Sequence, residues 1–295
     1  MKFSIGIHNS KGTLDYIHAD LWGPAQTVSL GGARYFLSLI DDFSRMVWVF
    51  GLKSKDKVFD QFKNWKTLVE TQANRKVRRL RTDNSLEFCN KDFDDFCTKH
   101  GIVRHKTVRQ TPQQNGLVKR MNMTLIDKVR CMLIHSKLPM SLWAEALDTA
   151  CYIVNMSPSS GINFRTPYEL WSGKPADYSH LRIFGCPAYV YVKQGKLEPR
   201  AFKCVFLGYP AGVKGYKLWC TDMKPPRAII NRDVVFNEHE MFRNSATVKQ
   251  TIERDSGCDK RTSFEVELPS SSTETDIKIR PENAPGRDFS EQEEE

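Results

Sequence analysis

The sequence predicts an α/β domain with a mixed central sheet, then a small β-barrel, then an acidic tail that does not fold by itself. Three observations carry that reading. Three β-rich runs come first, and helical patterns alternate with further short strands after them. Past Pro158 the pattern shortens to closely spaced strands punctuated by Gly208, Gly212, Gly215 and the Pro225-Pro226 pair. Past Arg243 there is no Trp or Tyr, and too little apolar surface remains to offset the entropy of ordering. The boundaries fall at 12–157 for the α/β domain, 158–180 for a linker, 181–240 for the barrel and 241–295 for a disordered acidic tail.

The elements follow in order. Residues 14–22 alternate well enough for a strand ending at Gly23-Pro24. Runs at 34–40 and 46–52 are β-rich, and Asp41-Asp42-Phe43-Ser44-Arg45 between them reads as a hairpin turn, completing a three-strand antiparallel meander. From 55 to 72, Val58, Phe59, Phe62, Trp65, Leu68 and Val69 recur at helical spacing. A strand at 77–82, a short helix at 91–99 and a strand at 102–105 come next. A long helix spans 113–136, with Val118, Met121, Leu125, Val129 and Met132 on one face, and another spans 139–156. Trp48, Trp65 and Trp143 sit in apolar patterns and belong to the core. The barrel takes strands at 181–192, 202–209, 215–221 and 228–236.

Charge narrows the function. Lys and Arg number 44 against 35 Asp and Glu, a net +9, but residues 251–295 alone carry −7, leaving +16 on residues 1–250. A body this basic points to a polyanionic partner, nucleic acid first, against the plainer reading of a solvated surface. The apolar-rich runs at 35–40 and 46–52 fall far short of the roughly 20 residues a membrane helix needs. Residues 1–12 lack the apolar core of a signal peptide. An intracellular chain, in nucleus or cytoplasm and away from membranes, is expected. Eight cysteines form no Cys-x-x-Cys pair and mostly lie in apolar stretches, which predicts reduced thiols with neither a disulfide framework nor a zinc site.

Two carboxylates are the first chemical candidates. Asp20 ends the first predicted strand, and Asp83 lies just past the strand at 77–82. Neighbouring strand ends can bring two such groups within a few ångströms, where they repel unless a cation sits between them; magnesium or manganese is the cofactor this implies. Paired ions of this kind activate a water or hydroxyl and stabilise the leaving oxygen in phosphodiester chemistry. The competing reading is that each Asp merely ends a strand, since Asp favours turns.

At this point the chain closely resembles the integrase region of copia-type long-terminal-repeat retrotransposon Pol polyproteins. The matching stretches begin with His18-Ala19-Asp20-Leu21-Trp22-Gly23-Pro24, Asp41-Asp42-Phe43-Ser44-Arg45 and Arg81-Thr82-Asp83-Asn84. Thr111-Pro112-Gln113-Gln114-Asn115-Gly116, Thr166-Pro167-Tyr168-Glu169-Leu170-Trp171 and Leu181-Arg182-Ile183-Phe184-Gly185-Cys186 follow. Lys214-Gly215-Tyr216-Lys217-Leu218-Trp219 and Arg232-Asp233-Val234-Val235-Phe236 complete the set, in order over residues 12–240.

The resemblance implies a ribonuclease-H-like catalytic domain followed by a Src-homology-3-like barrel, and metal-assisted DNA strand transfer by an Asp, Asp and Glu triad. DNA is the implied partner, and a homo-oligomer is left open. Asp20 and Asp83 match the first two carboxylates. The third belongs in a Gln-Asn-Gly-x-x-Glu-Arg motif, which here reads Gln114-Asn115-Gly116-Leu117-Val118-Lys119-Arg120. Lys119 stands where the glutamate should be. Beside Asp83, the expected Asn-Gly-Gly-Glu-Phe reads Asn84-Ser85-Leu86-Glu87-Phe88. The family normally carries a His/Cys zinc module upstream of the match, which here begins about a dozen residues into the sequence.

The substitution removes a hard oxygen ligand and takes the nominal site charge from −3 to −1. Changes merely around a metal's ligands cost roughly 10–100-fold, so losing a ligand with charge reversal should cost more. Lys119 lies about 100° round the helix from Val118, as a cleft-edge residue would, and its ammonium can take part of the missing cation's space or bind a phosphate. Glu87 follows Asp83 by four residues, but a Glu there also accompanies the normal third carboxylate, so it reads as a neighbour rather than a replacement. Lys76, Arg78, Arg79 and Arg81 form a basic run beside Asp83, and Arg104, His105, Lys106 and Arg109 form another, each a phosphate-binding candidate or a solvated surface. Gln113, Gln114 and Asn115 read as helix caps with a nearby DNA contact, with Lys119 and Arg120 beside them. His18 shares a sheet face with Asp20 as a hydrogen-bonding neighbour. Three readings stay open: an integrase fragment with a damaged site, a non-catalytic nucleic-acid-binding or interaction module, and a decayed element product.

Overall fold

The computed structural model describes residues 10–108, 115–191, 200–223 and 225–241. Alternation in the first strands decides the layering. In β1 (Ile17–Trp22), Ile17 and Ala19 face one side of the sheet and His18, Asp20 and Trp22 the other. β2 (Tyr35–Asp41) divides the same way, Leu37 and Leu39 against Phe36 and Ile40. β3 (Val47–Leu52) completes the antiparallel meander. β4 (Arg79–Thr82) then pairs parallel with β1, and β5 (Val103–Lys106) parallel with β4, giving the mixed order β3-β2-β1-β4-β5.

One face is covered by α1 (Val58–Ala73) and α2 (Lys91–Lys99), whose Val58, Phe62, Trp65, Val69 and Phe93 pack with Ile17, Ala19, Leu37, Leu39 and Leu80. The other is covered by α3 (Gly116–Ser136) and α4 (Trp143–Met156). Val118, Leu125 and Val129 from α3 and Ala146, Leu147 and Ala150 from α4 meet Phe36, Ile40 and Val47. The side-chain oxygen of Asn90 accepts from the Phe93 N–H at 2.7 Å and opens α2. Lys137, left-handed at φ 55°, closes α3 and turns the Leu138 N–H back to the Leu133 carbonyl at 3.2 Å. α4 is keyed to β3 by Asn155, which accepts from the Val47 N–H at 2.8 Å and donates to the Val47 carbonyl at 2.7 Å.

A short helix, α5 (Pro167–Ser172), sets Trp171 edge-on to Trp48 at 4.9 Å between ring centres. Beyond it β6 (Pro187–Tyr191), β7 (Ala201–Gly208), β8 (Tyr216–Cys220), β9 (Arg227–Asn231) and β10 (Val234–Phe236) form an antiparallel sheet in the order β10-β6-β7-β8-β9. One side of it packs Ala188, Val190, Phe206 and Leu218 into a small core of its own. The other side, through Val205, Leu207 and Trp219, joins the α3–α4 core. Thr149 Oγ1 donates to the Leu207 carbonyl at 2.6 Å, and Lys217 pairs with Glu145. The contact demands two glycines. A Cβ on Gly185 (φ 83°) would sit 2.2 Å from Ser136 Cβ, and one on Gly208 (φ 149°) 2.2 Å from Thr149 Oγ1.

Several elements differ from expectation. The strand expected over 14–22 starts only at Ile17, because Leu14 adopts φ 65° and donates its N–H to Asp41 Oδ1 at 2.8 Å. The strand expected over 181–192 starts at Pro187, after a turn through Gly185. The run 228–236 is two strands. Asn231 Oδ1 accepts from the Asp233 N–H at 2.9 Å, and the resulting turn sends β9 and β10 to opposite edges of the sheet. The helices expected from 55 and 139 open as 3-10 turns before α1 and α4, and the residues of the 113–136 helix that precede Asn115 lie outside the described residues. Cys204 and Cys220, directly opposed on β7 and β8, form a disulfide, which corrects the expectation of none; sixteen residues apart, they meet only through strand pairing. Among the described residues no helix is long and apolar enough to cross a membrane.

Candidate active-site cleft

The sheet brings the two aspartates to one edge. His18 pairs with Arg81 across β1 and β4; the same register carried two residues further sets Asp20 beside Asp83 at the carboxyl ends of these strands. Asp20 faces α3, where Asn122 donates to its Oδ2 at 2.9 Å. Asn115 donates to its Oδ1 at 3.4 Å and to the Ala19 carbonyl at 3.3 Å. Asn115 is thus not the capping side chain expected of it: it stands at the N-cap of α3 yet makes no capping bond, reaching back to β1 instead. Burial pushes the Asp20 carboxyl up to about 6, and the Asp83 charge adds to the rise. The Lys119 ammonium and the Asn122 amide pull it down, with Glu87 the weakest influence.

Asp83 is held from its own loop. Its Oδ1 accepts from Ser85 Oγ at 2.5 Å and from the Ser85 N–H at 3.2 Å, while Asn84 Nδ2 donates to the Thr107 carbonyl at 2.5 Å. The serine that replaces a glycine therefore occupies one carboxylate oxygen. Lys119, half-buried on α3 one turn before Asn122, lines a cavity of about 680 Å3 with Asp20, Trp22, Pro24, Met123 and Asp127. Glu87, its side chain 9% exposed, lies 3.6 Å from Lys55 Nζ.

A pair of divalent ions requires several hard oxygen donors converging on one place. Here Asp20 and Asp83 supply two carboxylates, each oriented by hydrogen bonds from its neighbours, but the third arm is the Lys119 ammonium. Among the described residues no group of three His, Cys, Asp or Glu side chains is placed to hold a metal. The donor set does not fit a two-metal centre.

The remaining predicted residues divide. His18 Nε2 lies 3.2 Å from Asp42 Oδ1, the hydrogen-bonding neighbour expected. Arg81 lies over the Tyr16 ring at 5.7 Å. Lys76 and Arg78 are not beside Asp83: they precede β4 at its opposite end, paired with Glu70 at 3.2 Å and Asp15 at 3.5 Å. Arg104 turns inward to Thr82 Oγ1 at 3.1 Å and the Phe88 carbonyl at 2.8 Å, so it braces the sheet. Lys106 pairs with Asp94 at 2.9 Å. Arg120 is exposed on α3, while Arg109, Gln113 and Gln114 lie outside the described residues. Sequence reasoning missed Asn122 and Ser85. Asn122 had a usable signal, three residues after Lys119 on the same helix flank.

Comparison with known proteins agrees with this architecture. The family model for the integrase core domain matches residues 13–112, and that for the retroviral polymerase SH3-like domain matches residues 186–251. The retrovirus-related Pol polyprotein from transposon TNT 1-94 of Nicotiana tabacum is 44% identical over 242 residues, covering 81% of this chain and 18% of that protein. Its counterpart from transposon RE2 of Arabidopsis thaliana is 30% identical over 239 residues, covering 80% and 16%. The chain therefore spans less than a fifth of these relatives. A simian T-cell lymphotropic virus intasome chain, solved in complex with a PP2A regulatory subunit, aligns over 78% of this chain and 81% of its own, at 17% identity and a TM-score of 0.47. With an integrase core domain followed by a retroviral SH3-like domain, and copia-type Pol polyproteins matching across both, the chain belongs to the integrase region of that polyprotein family.

Proposed function

We propose that this chain is an integrase-type module that retains nucleic-acid binding but has lost, or keeps only a trace of, metal-dependent strand transfer. The observation that carries the reading is Lys119: its ammonium is close enough to Asp20 to oppose the rise in that carboxyl's pKa, at the place where a third carboxylate is expected. Integrase core domains use a divalent metal. Among the described residues, Asp20 and Asp83 alone would be left to hold magnesium or manganese, fewer donors than a two-metal centre needs and against the fixed positive charge of Lys119. With its pKa about 6, Asp20 is also a weaker ligand than an ordinary aspartate below neutral pH.

In this reading Lys119 and Arg120 neutralise backbone phosphates at the mouth of the cleft. Arg81, Arg109 and Gln114 are proposed to extend the contact. Asn115 orients Asp20 rather than touching DNA, because its amide is engaged with β1. DNA is the partner, a homo-oligomer the working form, and the nucleus or cytoplasm the location. The domains are assigned to 12–157, 158–180 and 181–240, with 241–295 as tail.

A strand-transfer assay on the purified chain, with Lys119→Glu alongside and magnesium or manganese supplied, tests the proposal. The expected result is activity at least about 10–100-fold lower in the unaltered chain than in the variant. Robust metal-dependent transfer by the unaltered chain would overturn it. DNA affinity that falls steeply with salt in both proteins is expected for the binding part.

A further inference from the structure

Because β4 and β5 run parallel, their two ends differ. Asp83 leaves the carboxyl end of β4, and Arg79 opens the other end. Four strand residues at about 3.3 Å each put roughly 13 Å between them. At that far end Lys11, Lys66, Arg75, Lys76, Arg78 and Arg79 gather around two carboxylates, Asp15 and Glu70. Asp15 takes Arg75 at 3.1 Å and Arg78 at 3.5 Å. Glu70 takes Lys66 at 2.9 Å, Lys76 at 3.2 Å and the Val77 N–H at 2.9 Å. The carboxylates are mostly buried, whereas the Lys76 and Arg78 side chains are 81% and 71% exposed. Asp15 and Glu70 therefore act as anchors: each steadies more cations than it can neutralise, and the surplus charge faces solvent.

Two cavities of about 430 Å3 open on this surface, one bounded by Arg75 and Lys76, the other by Asp15, Arg78 and Arg79, and the Arg75–Asp15 ion pair joins them. We propose that this end of the sheet is a second nucleic-acid surface, which holds a phosphodiester backbone independently of the cleft and lets one chain engage two nucleic-acid segments. Three neighbouring guanidiniums present planar donor forks that suit phosphate oxygens. Their orientation is already fixed in part by the buried anchors, which lowers the entropy lost on binding. The uncharged lining is mainly small and polar, with Ser10, Thr67, Thr71 and Asn74, joined by His100, Gly101 and the exposed Val103. Among the described residues it presents no Trp, Tyr or Phe, the aromatic anchors that a protein partner's interface centre uses.

The test is a salt titration of the full chain against a short fluorescent DNA duplex of arbitrary sequence. Arg75→Gln/Arg78→Gln and Lys11→Gln/Arg79→Gln are compared with Lys119→Met, and the second pair leaves the anchoring ion pairs intact. Each double variant is expected to bind about tenfold more weakly at low salt and to lose about 0.9 from the log–log salt slope per phosphate contact removed. In a capture experiment, protein bound to an immobilised duplex should retain a second labelled duplex, and the double variants should lose that retention. Should the first variant fail to fold, the second decides. Unchanged affinity, slope and retention in a folded double variant would overturn the proposal. So would a loss confined to binding of poly-glutamate, which would assign the surface to an acidic protein. Lys119→Met reports on the cleft alone, so the two readings fail separately.

Discussion

At the scale of single residues, the proposed loss of strand transfer turns on one ammonium. Burial pushes the Asp20 carboxyl up to about 6, and Asp83, Lys119, Asn122 and Glu87 adjust it from there. Removing Lys119 as Lys119→Met takes away a lowering influence, so the Asp20 midpoint should rise; Asp83→Asn removes a raising one, so it should fall. Carboxyl-carbon NMR titration in metal-free buffer reads both, and a midpoint indifferent to either change would remove Asp83 and Lys119 from the site. The sign for stability follows. The folded value lies above that of a free aspartate, so the folded state takes up the proton first. This group's contribution is then most favourable at low pH and declines as pH rises from about 4 to 6, by about 3 kcal/mol at most. The closeness of Asp20 and Asp83 was foreseeable because both lie in recognisable motifs and Asp83 follows a strand end; Asp20, expected to end its strand, is followed in β1 by Leu21 and Trp22. Asn115 was misread as a cap, because nothing local says that its amide will find β1 a hundred residues away. Ser85 could be seen as a departure, but its bond to Asp83 depends on loop geometry that no spacing encodes.

At the scale of elements, strong periodicity carried the assignment and local turn chemistry limited it. α2 matches the expected span to the residue, with Asn90 capping it. The 228–236 run looked continuous because Arg232-Asp233 is a polar pair within a β-rich stretch; the Asn231 turn splits it. Asn155 illustrates what sequence hides. Its amide satisfies both backbone groups of Val47 across the gap between α4 and β3. Asn155→Ala should destabilise the fold by about 1–3 kcal/mol, since the buried Val47 N–H loses its partner and the Val47 carbonyl keeps only the Cys151 thiol donor. Urea unfolding measures this, and a loss under about 0.5 kcal/mol would show that water replaces the amide. Gly185→Ala combines a left-handed backbone with a collision at Ser136 and should cost about 2–4 kcal/mol by the same measurement.

At the scale of the whole molecule, the second sheet shares a core with α3 and α4, meeting α4 at Thr149 and the C-terminal end of α3 at Ser136. Sequence punctuation near Pro158 suggested two separable bodies; Phe184, Val205 and Leu207 show a continuous apolar contact that pairing patterns alone do not announce. The disulfide lies in this second sheet, and reduction should lower its stability by about 3 kcal/mol for a loop of this length. A thermal midpoint unmoved by reductant would show that the bond contributes nothing. The basic body and the carboxylate pair meet in the central proposal, that a fixed cation at Lys119 opposes the binding of a divalent one. Calorimetric titration of manganese into the unaltered chain and into Lys119→Glu addresses it directly. Binding at least about tenfold tighter in the variant is the predicted result; equal, tight binding to both proteins would contradict the account.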